Sequence, residues 1–377
     1  MHLHLRQGDI LSLCAPESAR WFARAVIMPN TTPPINNSDR VISYRKEIVA
    51  AASGKGAFGK NVPGNDDFDN NAFGKDALKG EKENFTPLMS FKIYPHMKEE
   101  EVIKLAEAGV VAGKLYPEGS TTNSEDGIKT WKQAEEAISA MSKLGIVLSI
   151  HGEKPDSFVL DREKDYLPEL FDIIEHFPNL RVVLEHVSCA EAVDAVLKGP
   201  ATLGATITAH HLLLTLDDLL GTGINPHLFC KPIVKSRKDR EAIQNAALSA
   251  NSKFFFGSDS APHPEASKLR SNGSAGIFSA PAAFPLLVSF FEKNGSIELL
   301  ENFTSRYGAE FYKLPLNNSF ITIEKRKNIL PDKYLIPSSV EQLLSNKGSI
   351  TCAGLRPSLD IIPFMAGSVL EWCISAS

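Results

Sequence analysis

Short apolar segments recur along this chain and alternate with amphipathic ones. Eight of them have the length of β-strands, and they span residues 2–5, 23–30, 86–94, 110–117, 146–153, 180–188, 201–211 and 253–263. Most are continuous apolar runs rich in β-branched residues, and strict alternation of apolar and polar positions is rare among them. Continuous runs are typical of strands that are buried on both faces of a parallel sheet.

The segments between these runs have helical character. Apolar positions recur with the helical period in residues 99–108 and 130–144, and residues 168–177 and 238–250 have a similar composition. This alternation predicts a parallel α/β fold, and eight strands favour a (β/α)8 barrel over an open doubly wound sheet. No Gly-x-Gly-x-x-Gly sequence follows an early strand, so a dinucleotide-binding fold has no local support.

Two regions depart from this alternation. Residues 53–84 are rich in Gly, Asn, Asp and Lys, and the tetrapeptide Ala-Phe-Gly-Lys occurs in them twice. This composition predicts a disordered surface insertion. After residue 312 the alternation stops, although residues 319–325 and 361–374 resemble strands. We therefore expect a barrel over residues 1–312, interrupted by the insertion, and a small strand-rich appendage over residues 313–377 that packs on the barrel.

The composition narrows the classes of function. The 377 residues include 40 Lys and Arg against 45 Asp and Glu, and this net charge of −5 speaks against binding to nucleic acid or a membrane surface. The most apolar stretch, residues 278–291, contains Pro281 and Pro285 and is shorter than the ~18 residues that a membrane helix needs. The amino terminus has no signal-peptide core. Five widely spaced cysteines without a C-x-x-C pair indicate the reducing cytoplasm.

Several strand-like segments end in side chains that can bind metals. In a barrel the carboxyl ends of the strands meet on one face, where active sites are built. His2 and His4 are two residues apart, so on a strand they point to the same side and can chelate one metal ion. With His151, His186 and Asp259 they provide four imidazoles and a carboxylate, a set that suits Zn²⁺ or a similar metal.

Lys114 also ends a strand-like segment, and a charged ammonium group there would repel a metal ion. The unperturbed pKa of a lysine, ~10.4, keeps the group charged at neutral pH. One interpretation is that Lys114 is a surface or ion-pair lysine. The other is that it reacts with CO₂ to form a carbamate. That reaction replaces a positive charge with a negative one and provides two oxygens that can bridge two metal ions.

Six motifs occur in order along the chain. They are His-Leu-His-Leu-Arg, Ile-Met-Pro-Asn, Gly-Lys-Leu-Tyr-Pro followed by Ser-Thr-Thr-Asn-Ser, Ile-His-Gly-Glu, Leu-Glu-His-Val-Ser and Gly-Ser-Asp-Ser-Ala-Pro-His. Through them the chain resembles the dihydroorotases from residue 2 to about residue 315, and residues 361–368 are similar to the carboxyl-terminal segment of that family. The resemblance is to the single-function, homodimeric type of bacteria and fungi, within the amidohydrolase superfamily.

The resemblance implies two Zn²⁺ ions per chain. The implied ligands are His2, His4 and Asp259 for the more buried ion, His151 and His186 for the second, and a carboxylated Lys114 and a hydroxide as bridges between them. The implied reaction is the reversible cyclisation of N-carbamoyl-L-aspartate to dihydroorotate in pyrimidine biosynthesis. In the hydrolytic direction the hydroxide attacks the ring amide carbonyl, and Asp259 carries a proton to the leaving nitrogen.

The substrate keeps a second carboxylate, which Arg6 can bind through two parallel hydrogen bonds because it lies two residues beyond His4 on the same side. The resemblance implies further substrate contacts, which are Asn30 and His263 for the carboxylate, backbone groups near Lys231 and Ala275 for the amide edge of the ring, and the hydroxyls of Thr121 and Thr122 in a loop that closes over the substrate. We expect His210 and His211 to support ligands or to cap a helix.

Members of this family carry a strand-length segment before the His-x-His pair, whereas here only Met1 precedes His2. We therefore expect a first strand that lacks most of its length and hydrogen bonds, with a gap in the barrel beside the metal site. Two alternatives arise. The chain is a catalytically impaired barrel that serves as a structural or partner-binding subunit, or it acts on other cyclic amides such as hydantoins, dihydropyrimidines or allantoin. Arg6 speaks against the second, because those substrates lack the carboxylate.

Overall fold

The strand-like segments of the sequence become the strands of one barrel. The structure is a computed structural model, and it describes residues 1–53, 85–120, 124, 126–336 and 360–375. The barrel strands are β1 (His2–Leu3), β2 (Arg24–Ile27), β3 (Thr86–Lys92), β4 (Ala112–Leu115), β5 (Val147–Ile150), β6 (Val182–Leu184), β7 (Leu203–Ile207) and β8 (Phe254–Phe256). Each of them lies within the segment that the apolar pattern indicates.

The eight strands are parallel and neighbour one another in sequence order. The succession runs without interruption from β1 to β8. The last strand returns to the first through backbone hydrogen bonds, since Asp259 N donates to the carbonyl of His2 at 2.9 Å and His4 N donates to the carbonyl of Ser260 at 3.0 Å. The prediction of a parallel (β/α)8 barrel is therefore confirmed.

The first strand is as short as the sequence predicts, yet it is hydrogen-bonded on both sides. Towards β2, Val26 N donates to the carbonyl of Met1 at 2.6 Å and Met28 N donates to that of Leu3 at 2.9 Å. A cavity of about 400 Å³ lies beside Met1, where the sequence predicts a gap. The bonds to β2 and to the end of β8 nevertheless hold His2 in register between its neighbours.

Helices alternate with the strands along the described chain. They are α1 (Gly8–Ala19), α2 (Ser38–Ala52), α3 (Glu99–Glu107), α4 (Glu135–Leu144), α5 (Arg162–His176), α6 (Ala190–Lys198), α7 (Ala209–Leu213), α8 (Leu216–Leu220), α9 (Arg237–Leu248), α10 (Glu265–Lys268), α11 (Ala280–Lys293) and α12 (Tyr307–Phe311). The four predicted helices form, as α3, α4, α5 and α9, and a 3₁₀ turn over Trp131–Ala134 leads into α4. Only α5 begins well before the prediction, because Tyr166 extends its buried face ahead of Pro168.

The interior of the barrel changes from apolar to polar along the strands. Alternate residues of a strand face the same side, so Ala112 and Lys114 of β4 both point inwards. The same holds for Val147, Ser149 and then His151 beyond the end of β5. The apolar members of this set belong to a buried cluster of Val26, Met28, Ala112, Val147, Val183, Phe255 and Tyr312. The apolar layer therefore fills the amino-terminal half, and polar side chains gather at the carboxyl ends.

A two-stranded antiparallel sheet follows the barrel in sequence. It consists of β9 (Ile323–Ile329) and β10 (Val369–Ile374). It packs against α11, where Trp372 Nε1 and Lys325 Nζ contact the carboxylate of Glu292 at 3.2 and 2.8 Å. The predicted insertion lies, beyond Ser53, outside the described residues. Within the described ranges, no helix combines the length and apolar character needed to cross a membrane.

Candidate active site

A cavity of about 390 Å³ opens at the carboxyl ends of the barrel strands. Its lining consists of His2, His4, Arg6, Asn30, Lys114, Tyr116, His151, His186, Lys231, Asp259, Ala261, Ala275 and Gly276. The structure thus brings all six predicted metal ligands together with four of the predicted substrate-binding residues. Thr121 and Thr122, which the sequence predicts to close over the substrate, lie outside the described residues.

One group of candidate ligands joins β1 to the end of β8. The Nε2 atoms of His2 and His4 lie 3.1 Å apart. Asp259 Oδ1 lies 3.3 Å from the first and 3.1 Å from the second. Burial alone would raise the pKa of Asp259, but the three imidazoles of His4, His2 and His186 hold it well below its usual range. The carboxylate is therefore ionised and faces two ring nitrogens.

The second group comes from the ends of β5 and β6. His151 Nδ1 lies 3.3 Å from His186 Nε2. The ring of His186 is also 5.1 Å from that of His2, measured between centroids, so the two groups adjoin. Burial lowers the pKa of His151 and holds that of His186 well below its usual range. Both rings are therefore neutral at physiological pH and can offer a lone pair to a metal ion.

Lys114 lies within electrostatic reach of both groups. Its side chain is completely buried, and its Nζ has no hydrogen-bond partner in the described part of the chain. Burial lowers its pKa to about 8, although Glu185 and Asp259 act in the opposite direction. An unpaired buried amine is costly, since a buried polar group without a partner loses roughly 1–3 kcal/mol. Such an amine, with a depressed pKa, has the reactivity that carbamate formation requires.

Oxygen atoms lie close to the outer nitrogens of three candidate ligands. Glu185 Oε2 lies 2.8 Å from His2 Nδ1, Asn30 Oδ1 lies 2.7 Å from His4 Nδ1, and Glu153 Oε2 lies 2.8 Å from His151 Nε2. An acceptor at one ring nitrogen places the proton there and leaves the lone pair on the other nitrogen. In all three rings that other nitrogen faces the neighbouring candidate ligands.

Glu185 is the most strongly anchored of these acceptors. Ser149 Oγ donates to its Oε1, and Thr206 Oγ1 donates to its Oε2 at 2.6 Å. Burial alone would raise its pKa, but His2, Lys114 and the Ser149 hydroxyl together lower it to about 2. Thr206 Oγ1 in turn accepts from the backbone N–H of His186 at 2.6 Å. Glu185 and Thr206 therefore link the ring of His2 to the backbone of His186.

Three residues of the cavity have left-handed backbone conformations. The φ angles are +59° at Arg6, +44° at His186 and +39° at Asp259. Non-glycine residues adopt this region rarely, and the strain costs of the order of 1–3 kcal/mol per residue. Of the seven non-glycine residues with positive φ in the described residues, these three carry side chains that the sequence assigns to metal or substrate. The backbone is bent at these points to aim the side chains into the cavity.

Arg6 lines the cavity as a cationic group, and His263 lies next to it. Arg6 Nη2 lies 2.9 Å from His263 Nε2, and Arg6 Nε donates to the carbonyl of Pro262 at 3.0 Å. His263 Nε2 is also 3.0 Å from the carbonyl oxygen of Ala275. A guanidinium group, an imidazole and backbone groups thus stand together and can receive an anionic, hydrogen-bonding ligand.

Three side chains of the site were not singled out from the sequence. Glu153 and Glu185 lie within the quoted histidine motifs, two residues after His151 and directly before His186. Tyr116 lines the cavity two residues after Lys114, and its buried hydroxyl has no hydrogen-bond partner among the described residues. The spacing of two from a candidate ligand was an available signal for Glu153 and Tyr116, because it places both side chains on the ligand's side.

The donor set of the cavity fits Zn²⁺. Imidazoles and an ionised carboxylate converge there, and these are the nitrogen and oxygen ligands that zinc takes in catalytic sites. His186 independently indicates a bound ligand, because its buried Nδ1 has no hydrogen-bond partner in the described part of the chain. A parallel barrel with these groups at its carboxyl ends defines the class of the protein as an amidohydrolase, a typically metal-dependent hydrolase. The model of the Amidohydrolase family matches residues 1–330.

Comparison with individual proteins narrows the class further. A dihydroorotase of Helicobacter hepaticus is 40% identical over 336 residues, which cover 88% of each chain. The structure of a dihydroorotase from Campylobacter jejuni superimposes with a TM-score of 0.80 and 34% identity, covering 99% of this chain and 94% of that one. A Saccharomyces cerevisiae dihydroorotase in complex with 5-fluoroorotic acid gives a TM-score of 0.81 at 30% identity, covering 100% and 96%. The chain belongs to the dihydroorotase family, whose members hydrolyse cyclic amides.

Proposed function

We propose that this protein interconverts N-carbamoyl-L-aspartate and dihydroorotate, with loss of water on cyclisation, at a centre of two Zn²⁺ ions. One observation carries the proposal. A single cavity combines four imidazoles, Asp259 and the buried amine of Lys114 with the guanidinium of Arg6. The first set can hold two metal ions for the hydrolysis of an amide. Arg6 supplies what a substrate with an additional carboxylate requires.

The two ligand groups divide naturally between two ions. His2, His4 and Asp259 form one group, and their ligand atoms all lie within 4.8 Å of one another. His151 and His186 form the other, and Lys114, carboxylated to N6-carboxylysine, would join a hydroxide as the ligands shared by the two ions. The carbamate forms when the neutral amine of Lys114 attacks the carbon of CO₂ and releases one proton. The pKa of Lys114, lowered by burial to about 8, supports this step because it increases the neutral fraction.

When bound, the two ions would supply a hydroxide at neutral pH and would polarise the carbonyl that is attacked. Asp259 moves the proton. In hydrolysis its carboxylate accepts the proton of the nucleophile and donates it to the leaving ring nitrogen. In cyclisation the same carboxylate takes the proton from the attacking carbamoyl nitrogen. His2 and His4, 3.3 and 3.1 Å from Asp259 Oδ1, keep this group ionised and in place.

The remaining substrate contacts are assigned to Arg6 and the residues near it. Arg6 binds the carboxylate that does not react, with help from Asn30 and His263. His263 already contacts Arg6 at 2.9 Å. Backbone groups near Lys231 and Ala275, which line the cavity, hold the amide edge of the ring. We assign Thr121 and Thr122 to the loop that closes over the substrate, on the strength of the family resemblance.

Replacing Arg6 by methionine tests the substrate. We expect the KM for dihydroorotate to rise at least about tenfold, or 1.4 kcal/mol, because the substrate carboxylate loses its ion pair. Steady-state kinetics on wild type and Arg6→Met should be measured with dihydroorotate and with dihydrouracil, a ring that lacks the carboxylate. An unchanged KM for dihydroorotate, or a preference of the wild type for dihydrouracil, would refute this substrate assignment.

The same preparations decide between an enzyme and an impaired barrel. The proposed enzyme contains two zinc ions per chain and turns over dihydroorotate. A structural or partner-binding barrel would carry well under two zinc ions per chain and show no turnover. The short β1 is the reason to measure both quantities, since it provides His2 and His4. Zinc content without turnover would reject the proposed activity while leaving the proposed metal centre intact.

Glu185 is expected to determine how firmly zinc is held. In Glu185→Gln the acceptor at His2 Nδ1 loses its charge, and we expect zinc affinity to fall about 10- to 100-fold, as for other hydrogen-bond partners of metal ligands. The measurement is the zinc retained during titration with a chelator. Glu163→Gln is the matched control, because this buried carboxylate bonds to Ser188 and contacts no candidate ligand. Equal retention in both variants would contradict the role of Glu185.

We also propose that the protein works in the cytoplasm as a homodimer. Cys14, Cys189, Cys230 and Cys373 are free thiols in the structure, which suits a reducing compartment. The homodimer is supported by the resemblance to the single-function dihydroorotases. The measurement that tests it is the molar mass of the purified protein in solution.

A further inference from the structure

A second cluster of metal-binding side chains lies outside the lining of the active-site cavity. It consists of His210 and His211, at the start of α7, and Cys230, twenty residues further along. Each offers a ligand atom, and these three atoms lie within 4.8 Å of one another. All three residues are buried, with relative exposures of 0%, 2% and 1%. The proposed reaction uses none of them.

His210 is the residue of this cluster whose side-chain polar atoms lack hydrogen-bond partners in the described part of the chain. Neither of its ring nitrogens has a hydrogen-bond partner among the described residues, although the side chain is fully buried. Burial lowers its pKa to about 4, so the ring is neutral and carries one N–H group and one lone pair. Two unsatisfied buried polar atoms cost roughly 1–3 kcal/mol each. The cost indicates that a ligand is to be expected at this ring.

His211 and Cys230 point their polar atoms at one backbone oxygen. His211 Nε2 lies 3.1 Å, and Cys230 Sγ 3.2 Å, from the carbonyl oxygen of Pro232. The other ring nitrogen of His211 lies 2.8 Å from Thr208 Oγ1. That hydroxyl can accept a hydrogen bond from a metal-bound imidazole, which is the usual arrangement behind a histidine ligand. His211 therefore already has the outer partner that metal ligation requires.

We propose that His210, His211 and Cys230 form a third metal site for Zn²⁺, separate from the binuclear centre. Two imidazoles and a thiolate are ligands that zinc prefers, and the tetrahedral geometry leaves a fourth position open. The site joins the start of α7 to the segment 230–232. Lys231 of that segment lines the active-site cavity. The ion would therefore fix one wall of the cavity, and its binding does not depend on the proposed reaction.

Metal binding at this site requires the loss of one proton. Burial raises the pKa of the Cys230 thiol to about 12 and holds that of His211 well below its usual range. Both imidazoles are thus neutral beforehand, and only the thiol has to ionise. Because one proton leaves, the apparent affinity rises about tenfold per pH unit below the pKa of the thiol. The binuclear centre has no thiol ligand among its proposed residues.

Cobalt titration tests the proposal. The protein, stripped of metal, is titrated with Co²⁺ while thiolate-to-cobalt charge transfer is followed in the near ultraviolet. No cysteine of the described residues lines the active-site cavity, so such a band does not arise from the ligands of the binuclear centre described here. We expect the band in the wild type and in the control Cys373→Ser, and its loss in Cys230→Ser and His210→Gln. Metal content should fall by one ion per chain in the last two variants.

Two results would overturn the third site. One is a wild type without the charge-transfer band at saturating Co²⁺, which would leave the cluster as a buried part of the core. This result is decisive even when the variants fail to fold. The other is a band that survives Cys230→Ser. Dihydroorotate turnover of the untreated protein is measured in parallel, so that a failure of the proposed function is recognised separately.

Discussion

Lys114→Ala is expected to have no measurable dihydroorotate turnover. The carbamate would be the bridge that both ligand groups share, and alanine removes it together with its negative charge. Lys114 is buried and its Nζ has no hydrogen-bond partner in the described part of the chain, so no structural hydrogen bond is lost at the same time. The measurement is turnover by the purified variant, compared with wild type at equal zinc concentration.

Rescue by short carboxylic acids identifies the lost group. Alanine leaves room beside Tyr116 and His151, and acetate or propionate can place a carboxylate where the carbamate stood. Lys114→Met is the matched control, because its side chain fills the same space and carries no charge. We expect partial recovery of Lys114→Ala and none of Lys114→Met. Full activity of Lys114→Ala without added acid would show that no bridge of this kind is needed.

Asp259→Asn is expected to lower kcat on the order of a thousandfold. Asparagine has the shape of aspartate but cannot accept the proton, and proton transfer by a positioned side chain contributes about 10²- to 10⁴-fold. Kinetics and zinc content should be measured on the same samples. A loss of kcat with zinc retained indicates the proton transfer itself, whereas loss of both indicates ligation.

The matched control for this substitution is Asp217→Asn. Asp217 is an exposed aspartate that pairs with Arg237 at 3.2 Å, so its replacement should leave kcat and zinc content unchanged. Wild-type kcat in Asp259→Asn would contradict the assignment of Asp259 as the acid and base.

The barrel could be predicted from the sequence because its strands are buried on both faces. Burial of this kind leaves continuous apolar runs, and each strand of the barrel lies within one of them. Helix boundaries were less accessible, as α5 shows, because Pro168 stands inside it and conceals its beginning. The order of strands needed no further information, since consecutive parallel strands joined by helices lie side by side.

The candidate site was predictable where strand geometry is regular. His2 and His4 lie on one side because they are two residues apart. Glu185 was missed for the opposite reason. In a regular strand, neighbouring side chains face opposite sides, yet Glu185 contacts the ring of His2 while His186 lines the cavity. Glu185 continues the inward alternation of Val183, and His186, with a left-handed φ of +44°, departs from it, so that assigning His186 to the interior concealed its neighbour.

Contacts across turns were equally inaccessible from the sequence. His211 meets Cys230 only through the course of the chain between α7 and residue 230, whereas the proximity of Arg6 and His263 was implied by the family resemblance alone. No periodicity or spacing in the sequence predicts the path that this part of the chain takes. The sequence therefore indicates no link between Cys230 and His211, and the structure alone places them beside each other.

The hydrogen-bonded seam between β1 and β8 has a consequence for the unfolded state. His2 and Asp259 stand on opposite sides of that seam, 3.3 Å apart between Nε2 and Oδ1. An ion ligated by both would close almost the whole barrel sequence into one ring. In the unfolded chain the two residues separate and the ion is lost, so the binding free energy of the ion adds to the stability of the folded barrel. Bound zinc would then stabilise the folded barrel. A chelator would lower the melting temperature of the protein as well as its activity.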